Sequence, residues 1–264
     1  MSWIAAAHDI LERIESTQAE AIERASRIAA ESIGAGGVMY ASGTGHSRMP
    51  VEELFPRYGS FPGFYPLVEL STTFHTEVVG TNGQRQAMFI ERVEGLAAAI
   101  LDNFDLNPPD SMILFSASGQ NAVSIEMAQL ARAAGLPVVA VTSLNESKAS
   151  AAKHRSGLRL FEVADVVIDM CCPVGDALCP IPALDTPVGP GTTLASVAIV
   201  NSIKVRVAEL LAPAGTLPSV LTSTQLVGEQ RSAELFEDAY LDHAERAAKT
   251  LRTRRTARTL TGGR

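Results

Sequence analysis

The amino-acid sequence predicts an α/β protein, built as a three-layer, doubly wound parallel sheet of about five strands with additional N- and C-terminal helices. Short apolar runs alternate with helical patterns from about residue 34 to residue 211. This alternation is typical of parallel strands joined by right-handed helical crossovers. Several apolar runs also stop abruptly at glycine, serine or threonine. Longer helical patterns precede the first run and follow the last.

The chain begins with a helical pattern over residues 2–33, which we interpret as an N-terminal helical extension comprising residues 1–33. Apolar residues such as Ile10 and Ile14 recur at helical spacing, and a group of glycines from residue 34 ends the pattern. A helix of this length has to bury its apolar stripe. The candidates are its own domain and a second subunit. We favour the second subunit, so a homodimer or homotetramer is expected.

The central domain is predicted to span residues 34–211. A loop and a helix at 212–251 are expected to pack on it, and the basic tail at 252–264 is expected to be disordered. Residues 143–147 are read as a polar turn, 149–154 as a short helix, and 171–191 as irregular loop. The predicted strands are 38–41, 66–70, 113–115, 137–142 and 163–170, and the main helices are 93–104, 123–134, 192–211 and 229–251.

The most informative turn follows the strand at 113–115 and reads Ser116-Ala117-Ser118-Gly119-Gln120-Asn121. Gly119 permits a sharp turn and a close approach to a ligand, because it has no Cβ. Gln120 and Asn121 open a helix whose free N–H groups favour an anion. Serine and asparagine also cap helices without any ligand. Since a cap needs one such residue and this turn has four, we favour a phosphate site.

Other polar groups follow neighbouring strands or begin helices. The carboxyl ends of parallel strands meet at one edge of a sheet, so these groups are expected to lie together there. The dinucleotide fingerprint Gly-x-Gly-x-x-Gly does not occur. The candidate substrate- and phosphate-binding residues are Gly45, His46, Ser47, Ser116, Ser118, Gly119, Gln120, Asn121, Ser143, Thr192 and Thr193.

Composition argues against several classes of protein. The net charge of −7 disfavours extensive nucleic-acid binding, and no helix-turn-helix is evident ahead of residue 34. Apolar runs are shorter than the ~20 residues that span a bilayer, and no signal peptide is recognisable, so we expect a cytoplasmic protein without a membrane partner. Cys171, Cys172 and Cys179 form neither a disulfide framework nor a metal site. No metal and no cofactor are predicted.

Four segments of the chain resemble the sugar isomerase (SIS) domain family of phosphosugar enzymes and binding modules, which has a flavodoxin-like fold. Residues 116–121 are similar to its Ser-x-Ser-Gly-x-Ser/Thr phosphate loop, and residues 43–47 to its Gly-x-Gly-x-Ser turn. Residues 163–165 are similar to its later Ala-Asp segment, and 52–58 to the Glu-Glu-Leu-x-x-Arg-Tyr run of phosphoheptose isomerases. The resemblance covers about residues 34–211 and extends to small bacterial SIS proteins. It implies a phosphorylated sugar as partner.

The chain departs from that pattern in two ways. Asn121 stands where a hydroxyl is usual, although its amide can still donate to a phosphate oxygen. Phosphoheptose isomerases also carry a catalytic histidine on a late helix, and no histidine lies between residues 155 and 242 here. The resemblance therefore supports phosphosugar binding more firmly than isomerase chemistry.

Aldose–ketose isomerisation needs a base that moves a proton and a polar group that stabilises the enediolate. Glu52 is the candidate base, and His75, in the polar loop at 71–86, is the candidate imidazole. A solvated helix charge and an ordinary loop histidine are the competing interpretations. Glu53 lies about 100° away around the helix and is expected at the surface.

We predict a sugar-phosphate isomerase that acts by proton abstraction. The alternatives are a non-catalytic phosphosugar sensor and a phosphosugar lyase or deaminase on the same scaffold. Acyl transfer at Ser118 ranks last, because no histidine and aspartate stand at a recognisable spacing from it.

Overall fold

The computed structural model describes residues 2–73 and 83–251. One sheet contains five parallel strands in the order β2-β1-β3-β4-β5, which is the flavodoxin-like order. The predicted doubly wound α/β sheet of five strands is therefore confirmed. The strands are β1 (Met39–Gly43), β2 (Phe64–Leu67), β3 (Ser111–Phe115), β4 (Val138–Thr142) and β5 (Val166–Asp169).

Helices lie on both faces of the sheet and at its ends. A single 3-10 turn (Gly45–Arg48) precedes the second helix, and β6 (Ala177–Cys179) pairs with β7 (Val188–Pro190) in a separate antiparallel hairpin. Among the described residues, no helix is both long and apolar enough to cross a bilayer. The helices are α1 (Trp3–Gly34), α2 (Met49–Leu54), α3 (Leu70–Thr73), α4 (Gly83–Ile90), α5 (Leu96–Leu101), α6 (Ala122–Ala133), α7 (Leu144–Ala149), α8 (Leu160–Val163), α9 (Thr192–Leu211), α10 (Thr224–Val227) and α11 (Glu229–Thr250).

Three local predictions differ from the structure. The polar turn at 143–147 is largely the helix α7, because the Ser143 hydroxyl accepts a hydrogen bond from the Glu146 N–H and starts a helix there. Residues 149–154 consequently do not form the predicted helix. The loop at 171–191, read as irregular, contains the β6–β7 hairpin.

Alternate residues of each strand point to opposite faces, and both faces are covered. Helices α1, α2 and α9 cover the face that carries Met39, Ile113 and Val139. Helices α5, α6 and α8 cover the face that carries Tyr40 and Met112. The central strands are therefore almost entirely apolar, as is typical of parallel sheets buried on both sides.

Helix α1 belongs to the same core. Its residues Ile10, Ile14 and Ile33 are buried in the cluster that contains Ile199 and Ile203 of α9. The expectation that this apolar stripe faces a second subunit is therefore wrong, because α9 and the sheet cover it. The ion pair between Glu23 and Arg206, at 2.6 Å, adds a polar contact between the two helices.

Helix α11 is fixed to the domain by a buried arginine. The Arg246 side chain is 8% exposed, and its guanidinium donates to the backbone carbonyls of Ile33 and Gly37 at the end of α1. Asp242, one turn earlier, pairs with the same guanidinium at 2.7 Å. The Ile33 carbonyl thus gains a second donor beside the Gly36 N–H, and the loop residue Gly37 is tied to α11.

We expect Arg246→Ala to lower the free energy of unfolding by about 2–4 kcal/mol, because buried carbonyls and Asp242 lose their partner. Urea denaturation measures this change. Arg231→Ala is the matched control, since Arg231 is exposed and pairs with Glu234 on the same helix. It should change stability by less than about 0.5 kcal/mol. Equal effects of the two substitutions would contradict the assigned role of Arg246.

Candidate functional site

A cavity of about 400 Å³ opens at the carboxyl edge of the sheet between the ends of β1 and β3. The chain leaves β1 towards β2 on one side and leaves β3 towards β4 on the other. The two turns therefore separate and leave a crevice at this switch point. The lining residues come from five segments and are Thr44, Gly45, His46, Ser47, Ala87, Met88, Glu91, Ser116, Ala117, Ser118, Asn121, Glu146, Gly175 and Asp176.

The turn after β1 depends on Gly43. A Cβ at this position would collide with the backbone carbonyl of Ser47, so only glycine allows the 3-10 turn to fold back over the strand end. The Ser47 N–H donates to the Thr44 carbonyl at 3.0 Å and closes the turn. As a result, His46 and Ser47 both line the cavity, as predicted.

The turn after β3 is held by a side-chain hydroxyl of its own and by the start of α8. The Gly119 N–H donates to the Ser116 hydroxyl at 3.1 Å, and the Gly119 carbonyl accepts from the Leu160 N–H at 2.7 Å. Gly119 has φ +60°, and an added Cβ would lie 3.0 Å from Ser147 Oγ and 3.1 Å from Thr142 Oγ1. Glycine is thus required by packing against neighbouring segments. This requirement differs from the expected one, in which Gly119 permits a close approach of the ligand.

Asn121 distinguishes the ligand interpretation of this turn from the capping interpretation. It occupies the N-cap of α6, yet its side chain makes no capping hydrogen bond. Its Oδ1 is buried without a hydrogen-bond partner, and the residue lines the cavity. Within the described part of the chain, the backbone N–H groups of Ser118 and Ala122 also have no protein acceptor. The start of α6 therefore presents unused polar groups beside the cavity.

Glu91 is a functional candidate that the sequence analysis missed. Its carboxylate lines the cavity and accepts a hydrogen bond from the Thr44 hydroxyl at 2.7 Å, while its backbone carbonyl accepts from the Val123 N–H. Burial raises the pKa of the Glu91 carboxyl above its usual range and outweighs the opposing effects of Thr44, Arg92 and Lys153. No spacing pattern in the sequence distinguishes this glutamate from the other acidic residues.

A second cavity of about 320 Å³ adjoins the first and shares His46, Ser47, Ala117 and Asp176 with it. Thr192 and Thr193 line this second cavity. The start of α9 already holds an anion, however, because the Asp176 carboxylate accepts from the Gly191 and Thr192 N–H groups and from the Thr192 hydroxyl at 2.6 Å. Asp176 thus occupies the place at which Thr192 was expected to bind phosphate.

The protein-family model of the SIS domain matches residues 2–143 of this chain. The chain belongs to the SIS domain family. A UPF0309 protein of Streptomyces coelicolor is 32% identical over 226 residues, covering 86% of this chain and 88% of that protein. A UPF0309 protein of Geobacillus kaustophilus is 31% identical over 230 residues, covering 87% of this chain and 89% of that protein.

A solved structure shares the same fold. The phosphoheptose isomerase of Neisseria gonorrhoeae superimposes with a TM-score of 0.50 at 14% identity, covering 78% of this chain and 95% of that one. This likeness confirms the SIS-type fold predicted from the motifs at 43–47 and 116–121.

On helix α2 of this SIS domain, the expected roles of Glu52 as a site residue and Glu53 as a surface residue are reversed. Glu52 has an exposed side chain, lies 3.5 Å from Arg48 and lines neither cavity. Glu53 turns inward, where it pairs with Arg57 at 2.9 Å and with the buried Lys204 at 3.4 Å. The expectation that Glu53 is the surface residue is therefore wrong. His75 lies outside the described residues.

Three other predicted site residues of the SIS domain line neither cavity, namely Gly119, Gln120 and Ser143. Ser143 is buried, where its hydroxyl donates to the Cys172 carbonyl at 3.1 Å and caps α7. The Gln120 carbonyl accepts from the Lys153 N–H at 3.3 Å. Ser143 and Gln120 both position the turns around the site.

The three cysteines are free and buried, as is typical of cysteines that pack as small apolar residues. Burial raises the pKa of the Cys172 thiol to about 12. This thiol is therefore protonated at neutral pH and is a poor nucleophile or metal ligand.

We expect Gly119→Ala to destabilise the SIS domain more than Gly45→Ala. Both glycines have positive φ, so each substitution costs about 1 kcal/mol of backbone strain. Only the Cβ at residue 119 meets neighbouring atoms, whereas nothing lies within 4 Å of the Cβ at residue 45. Chemical denaturation of the two variants measures the difference. If Gly45→Ala proved equally or more damaging, the packing argument for Gly119 would fail.

Proposed function

We propose that this SIS domain binds a phosphorylated sugar and acts as an aldose–ketose sugar-phosphate isomerase by proton abstraction. The observation that carries the proposal is the cavity at the switch point. Two hydroxyl-bearing turns lie on its walls, with the unused N–H of Ser118 and the Asn121 side chain at the start of α6. The partly buried Glu91 carboxyl, whose pKa is raised, lies there too.

The phosphate is assigned to the turn after β3. The Ser118 hydroxyl and N–H and the Asn121 amide offer donors next to the positive end of the α6 dipole. Ser47, on the opposite turn, adds a hydroxyl. Such an arrangement holds a single phosphate with neutral donors, so an acidic protein of net charge −7 does not need a basic patch to bind it.

The proton transfer is assigned to Glu91 in place of Glu52. The Glu91 carboxylate would take the proton from C2 of an aldose phosphate and return it to C1, while the hydroxyl proton moves from O2 to O1 through the enediol. Glu91 lines the cavity, and its raised pKa makes it a stronger base once it is ionised. His46 lies at the junction of the two cavities, where it can donate to the sugar oxygens.

We expect phosphorylated sugars to raise the melting temperature of the purified protein by mass action. A thermal-shift screen should include phosphorylated aldoses, ketoses and amino sugars, with the unphosphorylated sugars beside them. Ser118→Ala should weaken binding about 10- to 100-fold, because it removes a hydrogen bond to a charged group.

Ser202→Ala is the matched control for this screen, since Ser202 is exposed on α9 and its hydroxyl donates only to the Ala198 carbonyl. It should bind like the native protein. Absence of a shift with every phosphorylated sugar would refute the assignment of a phosphosugar ligand.

Glu91→Gln should retain ligand binding and reduce turnover by about 10²- to 10⁴-fold, which is the usual contribution of a general base. Burial raises the pKa of the Glu91 carboxyl. As the pH is lowered, native turnover should therefore begin to fall at a higher pH than it would with an exposed glutamate as the base.

The same substitution should also affect stability, because ionisation of a group with a raised folded-state pKa opposes folding. Glu91→Gln should therefore be at least as stable as the native protein at pH 7.

Glu52→Gln is the matched control, because Glu52 is exposed and outside both cavities. It should keep both turnover and the pH profile. Product detection with each ligand that binds distinguishes isomerisation from elimination or deamination. Binding without any product would favour the sensor and exclude the isomerase.

A further inference from the structure

A second cluster of polar side chains lies outside both cavities. It consists of Glu94, which follows α4, Glu126 of α6, and His154 in the segment between α7 and α8. The side chains of His154 and Glu126 are only 3% and 9% exposed, whereas that of Glu94 is 33% exposed.

His154 has one satisfied and one unsatisfied ring nitrogen. Its Nδ1 lies 2.8 Å from the Ser156 hydroxyl and 3.3 Å from the Ser156 N–H, and these contacts fix the orientation of the ring. With a cation on Nε2, the ring takes the tautomer in which Nδ1–H donates to the Ser156 hydroxyl. Its Nε2 is buried without a hydrogen-bond partner and points at two carboxylates. A buried nitrogen of this kind costs about 1–3 kcal/mol if nothing binds it. Its environment therefore favours a ligand that the protein itself does not supply.

The distances are those of a metal-ligand set rather than of hydrogen bonds. His154 Nε2 is 3.5 Å from Glu126 Oε1 and 3.9 Å from Glu94 Oε1, and the three ligand atoms lie within 4.8 Å of one another. Two ligands bound about 2.0–2.2 Å from a tetrahedral cation are roughly 3.3–3.6 Å apart. A small rotation of Glu94, whose side chain reaches solvent, closes the remaining gap.

The surrounding contacts support the ligands in the way that a metal site requires. Both Glu126 oxygens accept from the Gly95 N–H, at 2.9 and 2.8 Å. Glu94 Oε1 accepts from the Arg155 N–H at 2.9 Å, and Glu94 Oε2 pairs with the Arg155 side chain at 3.2 Å. Each carboxylate oxygen keeps a second lone pair for a cation. Such outer contacts orient metal ligands and are a regular part of metal sites.

We propose that Glu94, Glu126 and His154 form a binding site for a divalent first-row transition-metal cation such as Zn²⁺. One imidazole and two carboxylates supply three ligands and offset the positive charge, and water completes the coordination on the exposed side of Glu94. Alkaline-earth cations are disfavoured, because they prefer oxygen ligands only.

The site joins three segments of the chain next to the candidate catalytic cavity. Glu94 lies three residues after Glu91. The Glu91 carbonyl accepts a hydrogen bond from the Val123 N–H in the first turn of α6, and Glu126 lies further along the same helix. A cation here fixes the segment that positions Glu91. Its role is therefore structural, and it takes no part in the proton transfer.

Zinc titration of the untagged, chelator-treated full chain tests the proposal. Calorimetry should show one Zn²⁺ per chain, and the melting temperature should rise by at least about 4 °C at saturating Zn²⁺. Mg²⁺ should have no such effect. Crystals soaked in Zn²⁺ should give an anomalous peak beside His154 Nε2. The absence of a Zn²⁺-dependent shift would overturn the proposal.

Two variants locate the binding. Glu94→Gln, at the partly exposed ligand, leaves the buried pair in place and should weaken Zn²⁺ binding by more than about tenfold, since even outer-sphere partners contribute that much. His154→Ala should abolish binding, with circular dichroism confirming that it folds. His8→Ala, at an exposed position on α1, is the control and should bind like the native chain. Unchanged affinity in Glu94→Gln would place the metal elsewhere and refute this site.

Discussion

Burial of the parallel sheet on both faces is the constraint on which the rest of the structure depends. Helices α1, α2 and α9 cover one face and α5, α6 and α8 the other, so neither face can hold polar chemistry. Apart from Tyr40 and Tyr65, the polar side chains of the sheet therefore lie at or next to the strand ends. The chain turns opposite ways after β1 and β3, and the cavity lies at this point. The same burial that stabilises the fold thus determines where a ligand can bind.

The sequence predicted the sheet and most of the turn residues, because both depend on local patterns. Apolar runs define strands, and serine, glycine and asparagine mark the positions at which strands end. Topology then brings Ser47 and Ser118 to one cavity although they lie far apart in the chain. The hydroxyl cap of α7 was missed, because Ser143 looks the same in a turn and at the start of a helix.

The carboxylates could not be assigned from the sequence, because their roles depend on tertiary contacts. Glu52 and Glu53 are adjacent, and only the position of α9 decides that Glu53 meets Lys204 while Glu52 meets solvent. Glu91 and His154 acquire their environments from segments that are distant in the chain, through Thr44 and Glu126 respectively. Helical periodicity gives the direction of a side chain relative to its own helix and nothing about the neighbouring element.

The packing of α1 against α9 has a consequence for the order in which the protein is synthesised. Glu23 and Arg206, which pair across this contact, are separated by 183 residues. At a ribosomal rate of 5–20 residues per second, roughly 10–40 s pass between the appearance of the two residues. Helix α1 therefore lacks the α9 part of its native packing for this interval during synthesis. Until α9 has been made, part of the apolar stripe of α1 is open to contacts that lead to aggregation.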